Sequence, residues 1–303
     1  MQTKLNVVVL SHTPEFEQNI VRGARLCYSS ASIEDLKEKV TPEDAEKFLN
    51  KILEIGHGSI LEHSSITFGI EGVSRALTHQ LVRHRIGTSF SQKSQRYVRE
   101  GQFDYVIPKP IQKDPELTKK YIESMERIQA DYDMLTNELL VSQIKEQVNL
   151  KQENYNKLFA EYVKANEAYE GMTQLNDIIN TNDNENILTV FKAINKREYT
   201  RLEKIAIENA RYVLPNACES KIQVTMNVRS LFNFFKERLC DRAQEEIREM
   251  AFEMWKCCMQ ISPTIFKHAT PTCVNGKCKE GAMTCGKMLQ YKDKYNNAIK
   301  EFI

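Results

Sequence analysis

Apolar residues along the chain switch between two periods, and the switches mark where elements begin and end. Leu5 to Leu10 is a short, mainly apolar run, read as a buried strand. Thr13-Pro14 predicts a helix start, with Thr13 as cap and Ile20, Val21, Ala24 and Cys27 on the inner face. A second start follows at Thr41-Pro42-Glu43-Asp44, with Ala45, Phe48, Leu49, Ile52 and Leu53 as its stripe and Gly56 as its stop. From Ser64 to Glu71 the period drops to two, through Ile66, Phe68 and Ile70, which predicts a half-buried strand. Helical spacing returns at Val73, Ala76, Leu77 and Leu81. Continuing that helix places Gln80, Arg83 and His84 on one face near its end. Residues 86–94 read as a loop, and Phe103 to Ile107 as a short strand.

Asp114-Pro115 then caps a long helix whose apolar seam runs Leu117, Tyr121, Met125, Ile128, Tyr132, Leu135 and Leu139. The same seam continues through Ile144, Val148, Tyr155 and Phe159. Gly171 to Asn186 is rich in Asn and Asp and reads as a loop, followed by a helix over Ile187 to Ile194. Arg201 to Arg211 is helical and carries Glu208 and Arg211 on one face; Lys221 to Met226 alternates as a strand. A helix from Asn227 to Arg238 follows, with Arg229 and Asn233 one turn apart. Asp241 to Gln244 reads as a capping box for a helix with Ala243, Ile247, Met250, Ala251 and Met254 as its stripe. The tail from Gln290 is polar and reads as peripheral.

Composition narrows the function classes. With 303 residues, 41% hydrophobic, 27% charged and a net charge of +1, the chain is that of a soluble globular protein. Near-balanced charge argues against nucleic acid as partner, because that affinity comes from an excess of cations facing phosphates. No apolar run reaches bilayer length and no signal-peptide pattern opens the chain, so the expectation is a cytoplasmic protein without membrane contact. Eight scattered cysteines fit reduced thiols. His268, Cys273, Cys278 and Cys285 attract a zinc reading, but four and six residues between the cysteines are not the spacing of tight knuckles. No metal site is expected.

Candidate chemistry concentrates in Gln80 to Tyr97, where Arg83, His84, Arg85, Gln92, Ser94 and Arg96 crowd between an apolar helix and a loop. A guanidinium grips phosphate or carboxylate with parallel hydrogen bonds, each worth about 1.5–3 kcal/mol net. The chain has neither a GxGxxG after its first strand nor a P-loop, so phosphates must be held by arginine. Arg229 and Asn233 recur where a strand hands over to a helix, a second ligand-binding position.

Arg83-His84-Arg85, eight intervening residues, then Ser94-Gln95-Arg96-Tyr97 resembles the signature of flavin-dependent thymidylate synthases. The resemblance extends to His57-x-Ser59-x-x-Glu62-His63, Ser74-Arg75, Gln80, Ala210-Arg211-x-x-Leu214-Pro215, Thr225-x-Asn227-x-Arg229-x-Leu231-x-Asn233 and Arg238 to Gln244. It implies an α+β fold, an antiparallel-type sheet packed with long helices, as one catalytic domain over 1–303. A helical insertion is expected at about 118–196 and a Cys-containing tail at 268–303. It further implies a homotetramer with shared sites, FAD as cofactor, and NADPH and methylene-tetrahydrofolate as co-substrates in methylating dUMP. Carried over by motif, Gln80, Arg83, Gln92, Lys93, Ser94, Gln95, Arg96, Arg211 and Arg238 contact dUMP. His57, Ser59, Glu62, Arg83, His84, Arg85, Ile86, Gln92, Asn227, Arg229 and Asn233 contact FAD. Arg238 is the expected catalytic group, stabilising negative charge on the uracil ring, and no enzyme nucleophile is implied.

Overall fold

A computed structural model describes residues 2–55, 58–96 and 101–303. The chain forms two compact units, one from residues 2–93 and 219–303, the other from residues 94–218.

The first unit is built on a four-stranded antiparallel sheet in the order β1-β2-β4-β3, with β1 at Asn6–His12, β2 at Ser65–Ser74, β3 at Thr88–Gln92 and β4 at Glu219–Asn227. The period-two pattern fixes which face is buried. Ile66, Phe68 and Ile70 of β2 and Ile222, Val224 and Met226 of β4 are all 3% exposed or less. On the opposite face Thr67 and Thr225 share a hydroxyl hydrogen bond of 2.9 Å. The inner face packs against the helices Val228–Arg238 and Glu245–Ile261, in one core with Leu231, Phe234, Phe235, Met254 and Trp255. Full burial of each such side chain is worth about 1.5–3 kcal/mol.

Several boundaries in this unit differ from the sequence expectation. Thr13 does not cap the first helix, which spans Phe16–Leu26; its amide and hydroxyl instead bond Ser65, extending the sheet edge. Residues 86–94 are not a free loop, since β3 lies within them and pairs with β4 from Thr88↔Met226 to Gln92↔Ile222. Asp241 to Gln244 forms no capping box. Asp241 is taken by Lys287 at 2.8 Å and Tyr291 at 2.9 Å, and the Lys287 ammonium holds its carboxyl below the usual range. Nor is the tail peripheral: the helix Met288–Lys300 buries Tyr291 and Tyr295, and the Tyr295 ring meets Trp255 edge-on at 5.5 Å.

The second unit is helical and includes residues 118–196. Its spine is the helix Pro115–Leu150, 36 residues, opened by Asp114 accepting from Glu116 N and Leu117 N. That spine packs with the helices Asn184–Ile194 and Lys196–Ala210 around Leu140, Ile144, Val148, Phe159, Val190 and Phe191. The buried stripe passes through Tyr132, Thr136, Leu140, Ile144 and Val148, so Leu135 and Leu139 are only half-buried and Leu117 is exposed. A row of i, i+4 positions winds around a 3.6-residue helix, so the buried face parts from the heptad seam. The spine stops at Lys151, and Tyr155 and Phe159 belong to a separate helix, Gln152–Lys164. Within the expected loop 171–186, Leu175–Ile179 is helical with Leu175 and Ile178 buried. Phe103 to Ile107 forms no strand beyond a single bridge from Tyr105 to Cys218.

Candidate active site

The site begins where β2 ends. Ser74 caps the helix Arg75–Leu81, its Oγ accepting from Leu77 N at 3.0 Å. Glu246 accepts from both Ser74 N at 2.7 Å and Ser74 Oγ at 2.6 Å, fixing the point where the chain turns back. Because β2 and β3 both run antiparallel to β4, they run parallel to each other, and this seven-residue helix carries the chain over β4 between them. It delivers the arginine turn to the Asn227 end of the sheet.

The helix stops at Leu81, so Arg83 and His84 lie beyond it rather than on its face. Their amides bond three residues back, Arg83 N to Gln80 O at 3.4 Å and His84 N to Leu81 O at 3.1 Å, tightening the last turn. The turn is then pinned from outside. Thr88 Oγ1 donates to the His84 carbonyl, Ser230 Oγ donates to the Ile86 carbonyl, and Asn227 N donates to Gly87 O at 3.0 Å. Gly87 has a φ of +63°, and a Cβ there would sit 2.3 Å from Asn227 Nδ2 and 2.6 Å from Ser230 Oγ. Only glycine fits so close an approach.

The facing wall is the helix Val228–Arg238. Asn227 caps it, its Oδ1 accepting from Ser230 N at 2.8 Å. Arg229, Asn233 and Lys236 follow at helical spacing on one face, and Arg229 reaches back to Glu62 in the 3-10 turn Ser59–His63. Arg238 Nε donates to His84 Nε2 at 3.0 Å, which requires that nitrogen to be unprotonated. Burial, then the Arg238 charge, lowers the His84 pKa and keeps the imidazole neutral. Its ring also packs edge-on against Phe234 at 5.0 Å. The imidazole thus holds the guanidinium by its Nε–H and leaves the two terminal nitrogens for a ligand.

These groups line one cavity of about 960 Å³. Arg83, Arg85, Arg229, Lys236, Arg238 and Lys279 supply six cations to its wall against two carboxylates, Glu62 and Glu237. The amino end of the helix Val228–Arg238 adds its partial positive charge. A wall of this sign and size suits a polyanion of nucleotide or dinucleotide size.

Comparison with known proteins decides the family. Residues 8–264 match the family model of the thymidylate synthase complementing proteins. The chain belongs to this family. It is 42% identical to the flavin-dependent thymidylate synthase of Clostridium tetani over 96% of this chain and 97% of that protein. It is 38% identical to that of Geobacter sulfurreducens over 95% and 97%. Among solved structures, the fold resembles the UMP/dUMP methylase PolB of Streptomyces cacaoi, crystallised with 5-Br dUMP. The TM-score is 0.56 at 18% identity, covering 88% of this chain and 94% of that one.

For a thymidylate synthase complementing protein, the cavity brings together much of the expected FAD set: Glu62, Arg83, His84, Arg85, Ile86, Asn227, Arg229 and Asn233, with Arg238 from the dUMP set. Ser59 opens the 3-10 turn that carries Glu62, outside the cavity lining. Gln80 bonds Gln244 at 3.3 Å. Gln92 is not in this cavity: its Nε2 donates to Thr78 Oγ1 at 2.9 Å and Ser220 Oγ at 2.8 Å. With Lys93 it lines a separate cavity beside Asn6, Glu71 and Lys221. Ser94, Gln95, Arg96 and Arg211 belong to the helical unit. There Gln95 Nε2 donates to Cys218 Sγ at 3.3 Å, and Ser94 Oγ accepts from Arg96 N at 3.2 Å. Glu208 gathers Arg96 at 2.7 Å by its carboxylate and Arg211 at 3.1 Å by its carbonyl. His57 and Tyr97 lie outside the described residues. Sequence reasoning missed Lys236, Lys279 and His268 in the cavity wall. Lys236 carried a signal, standing one turn beyond Asn233 on the Arg229 face; the other two come from a segment with no periodicity to place it.

Proposed function

We propose that the chain is an FAD-dependent thymidylate synthase that replaces the C5 hydrogen of dUMP by a methyl group, with methylene-tetrahydrofolate as carbon donor and NADPH as reductant. One observation carries the reading: motif residues from sequence-distant segments line a single cationic cavity large enough for a dinucleotide. The residues fit the cofactor's chemistry. Arg83, Arg85, Arg229 and Lys236 would neutralise its phosphates, while Asn227, Asn233 and the pinned turn at His84 to Ile86 would supply directional polar groups. Bound flavin would supply the redox chemistry, taking reducing equivalents from NADPH and yielding the hydride that completes the methyl group. The protein's part is to position the rings and stabilise charge. In this reading Arg238, held by His84, would stabilise negative charge on the uracil. The working form in this reading is a cytoplasmic homotetramer with sites shared between chains.

Anaerobic stopped-flow tests this. NADPH reduces the bound flavin, and reoxidation is expected only when both dUMP and methylene-tetrahydrofolate are added. Arg238→Ala should slow reoxidation by about 100-fold or more. A bound flavin whose reoxidation ignores dUMP overturns the reading.

A further inference from the structure

The sequence offers three cysteines in the tail; the fold brings a fourth. Cys240, Cys273, Cys278 and Cys285 line one cavity of about 200 Å³, separate from the cationic cavity but sharing Lys236, Glu237 and Arg238 with it. The meeting is held by the two residues that follow Cys240. Asp241 binds Lys287 at 2.8 Å, and Arg242 binds Glu280 at 3.1 Å and the Met283 carbonyl at 2.9 Å. Cys285 lies between those anchors, so the tail is clamped along the end of the helix that carries Arg238.

A thiol is a weak donor and weak acceptor, so four of them around a half-polar cavity add little as hydrogen-bonding groups. All four are free and only half-buried, unlike the fully packed Cys258. All four line the same small cavity, a set of soft sulfur donors of the kind structural zinc takes. Thiolates in that arrangement repel unless a cation sits among them. We propose that Cys240, Cys273, Cys278 and Cys285 are the four ligands of a structural zinc ion that fastens the tail to the end of the helix Val228–Arg238. Zinc in structural sites takes four tetrahedral ligands with Zn–S of about 2.3 Å.

Among the described residues no three His, Cys, Asp or Glu side chains already stand in a coordinating arrangement, so binding draws the sulfurs inward. The segment can follow. Residues 276–287 hold one short 3-10 turn and three glycines, of which Gly281 and Gly286 have φ of +52° and +73°. Binding transfers each thiol proton to solvent, leaving about −2 on the zinc tetrathiolate. Lys236, Arg242 and Lys279 line the same cavity and offset that charge.

The full chain, purified untagged in reductant and dialysed free of added metal, should carry about one zinc per chain by elemental analysis. Cys240→Ser and Cys278→Ser should each lower that to a small fraction, and Cys27→Ser, outside the cluster, should leave it unchanged. Stripping wild-type protein with a chelator and adding cobalt gives a second readout that needs no variant: tetrahedral thiolate bands should appear at one equivalent. Zinc below about 0.1 per chain after growth in zinc-supplemented medium, with no thiolate–cobalt bands, overturns the proposal. So does zinc retained by the Cys240→Ser and Cys278→Ser variants, or a disulfide between any two of the four in reductant-purified protein.

Discussion

Gly87→Ala is the sharpest test of how the arginine turn is held. Two costs add. A residue with a Cβ at a φ of +63° loses about 1 kcal/mol against glycine. The new methyl must also displace Asn227 Nδ2 and Ser230 Oγ, 2.3 and 2.6 Å away. Those two side chains make the helix cap and the bond to the Ile86 carbonyl, worth about 1 kcal/mol each. The sum is a loss of about 3 kcal/mol in unfolding free energy. Gly281→Ala separates the terms, since its φ is +52° but nothing lies within 4 Å of its Cβ, so it should lose only the backbone part, about 1 kcal/mol. Urea denaturation of the two variants beside wild type measures both. Equal losses for the two, or a Gly87→Ala loss under about 0.5 kcal/mol, would refute the claim that close packing against Asn227 and Ser230 fixes the turn.

Three further outcomes follow from the same geometry. His84 has a folded pKa below its ordinary 6.5, so the folded state binds fewer protons and stability should fall as pH drops below about 6.5; His84→Gln should flatten that part of the pH profile. An unchanged profile would remove His84 as its source. Ser74→Ala should lose about 2 kcal/mol, because a buried cap and the Glu246 carboxylate both lose their partner, and calorimetry showing no loss would count against the Ser74–Glu246 anchor. Arg229→Ala separates binding from folding. Its pair with Glu62 has side chains 58% and 47% exposed, so stability should change by less than about 0.5 kcal/mol. FAD affinity, by fluorescence titration, should drop about tenfold or more if the guanidinium contacts the cofactor.

Where the pattern was strong, the fold could be read from residues alone. Ile66-x-Phe68-x-Ile70 and Ile222-x-Val224-x-Met226 alternate because one face of the sheet is buried, and their register follows. The helix read from Asn227 to Arg238 spans Val228–Arg238, with Asn227 as its cap. The failures share a cause. Thr88 to Gln92 is polar and short because it is an edge strand only half-buried on one side, and its signal was lost beside the arginines. Asp241 carries cap chemistry but spends it on Lys287 and Tyr291, partners about 50 residues on that no local rule can supply. The Tyr291 and Tyr295 pair had helical spacing, yet the lysines around it hid an apolar face that covers Trp255.

The site was legible for a different reason. Its residues are consecutive or one helical turn apart within each segment, so motif spacing carries their geometry. What spacing cannot carry is how the segments meet, and that is set by strand direction. Asn227 pairs with Ser65, so the turn that presents Glu62 and the helix that presents Arg229 leave the same end of the sheet. The helix after Ser74 must return over β4 to start β3 parallel to β2, and that return drops Arg83, His84 and Arg85 at the same end. Three segments, two of them cationic, therefore converge without any glycine-rich loop. The guanidinium groups reach a ligand through side chains, and the single glycine the turn requires, Gly87, serves contact with Asn227 and Ser230 rather than contact with a phosphate.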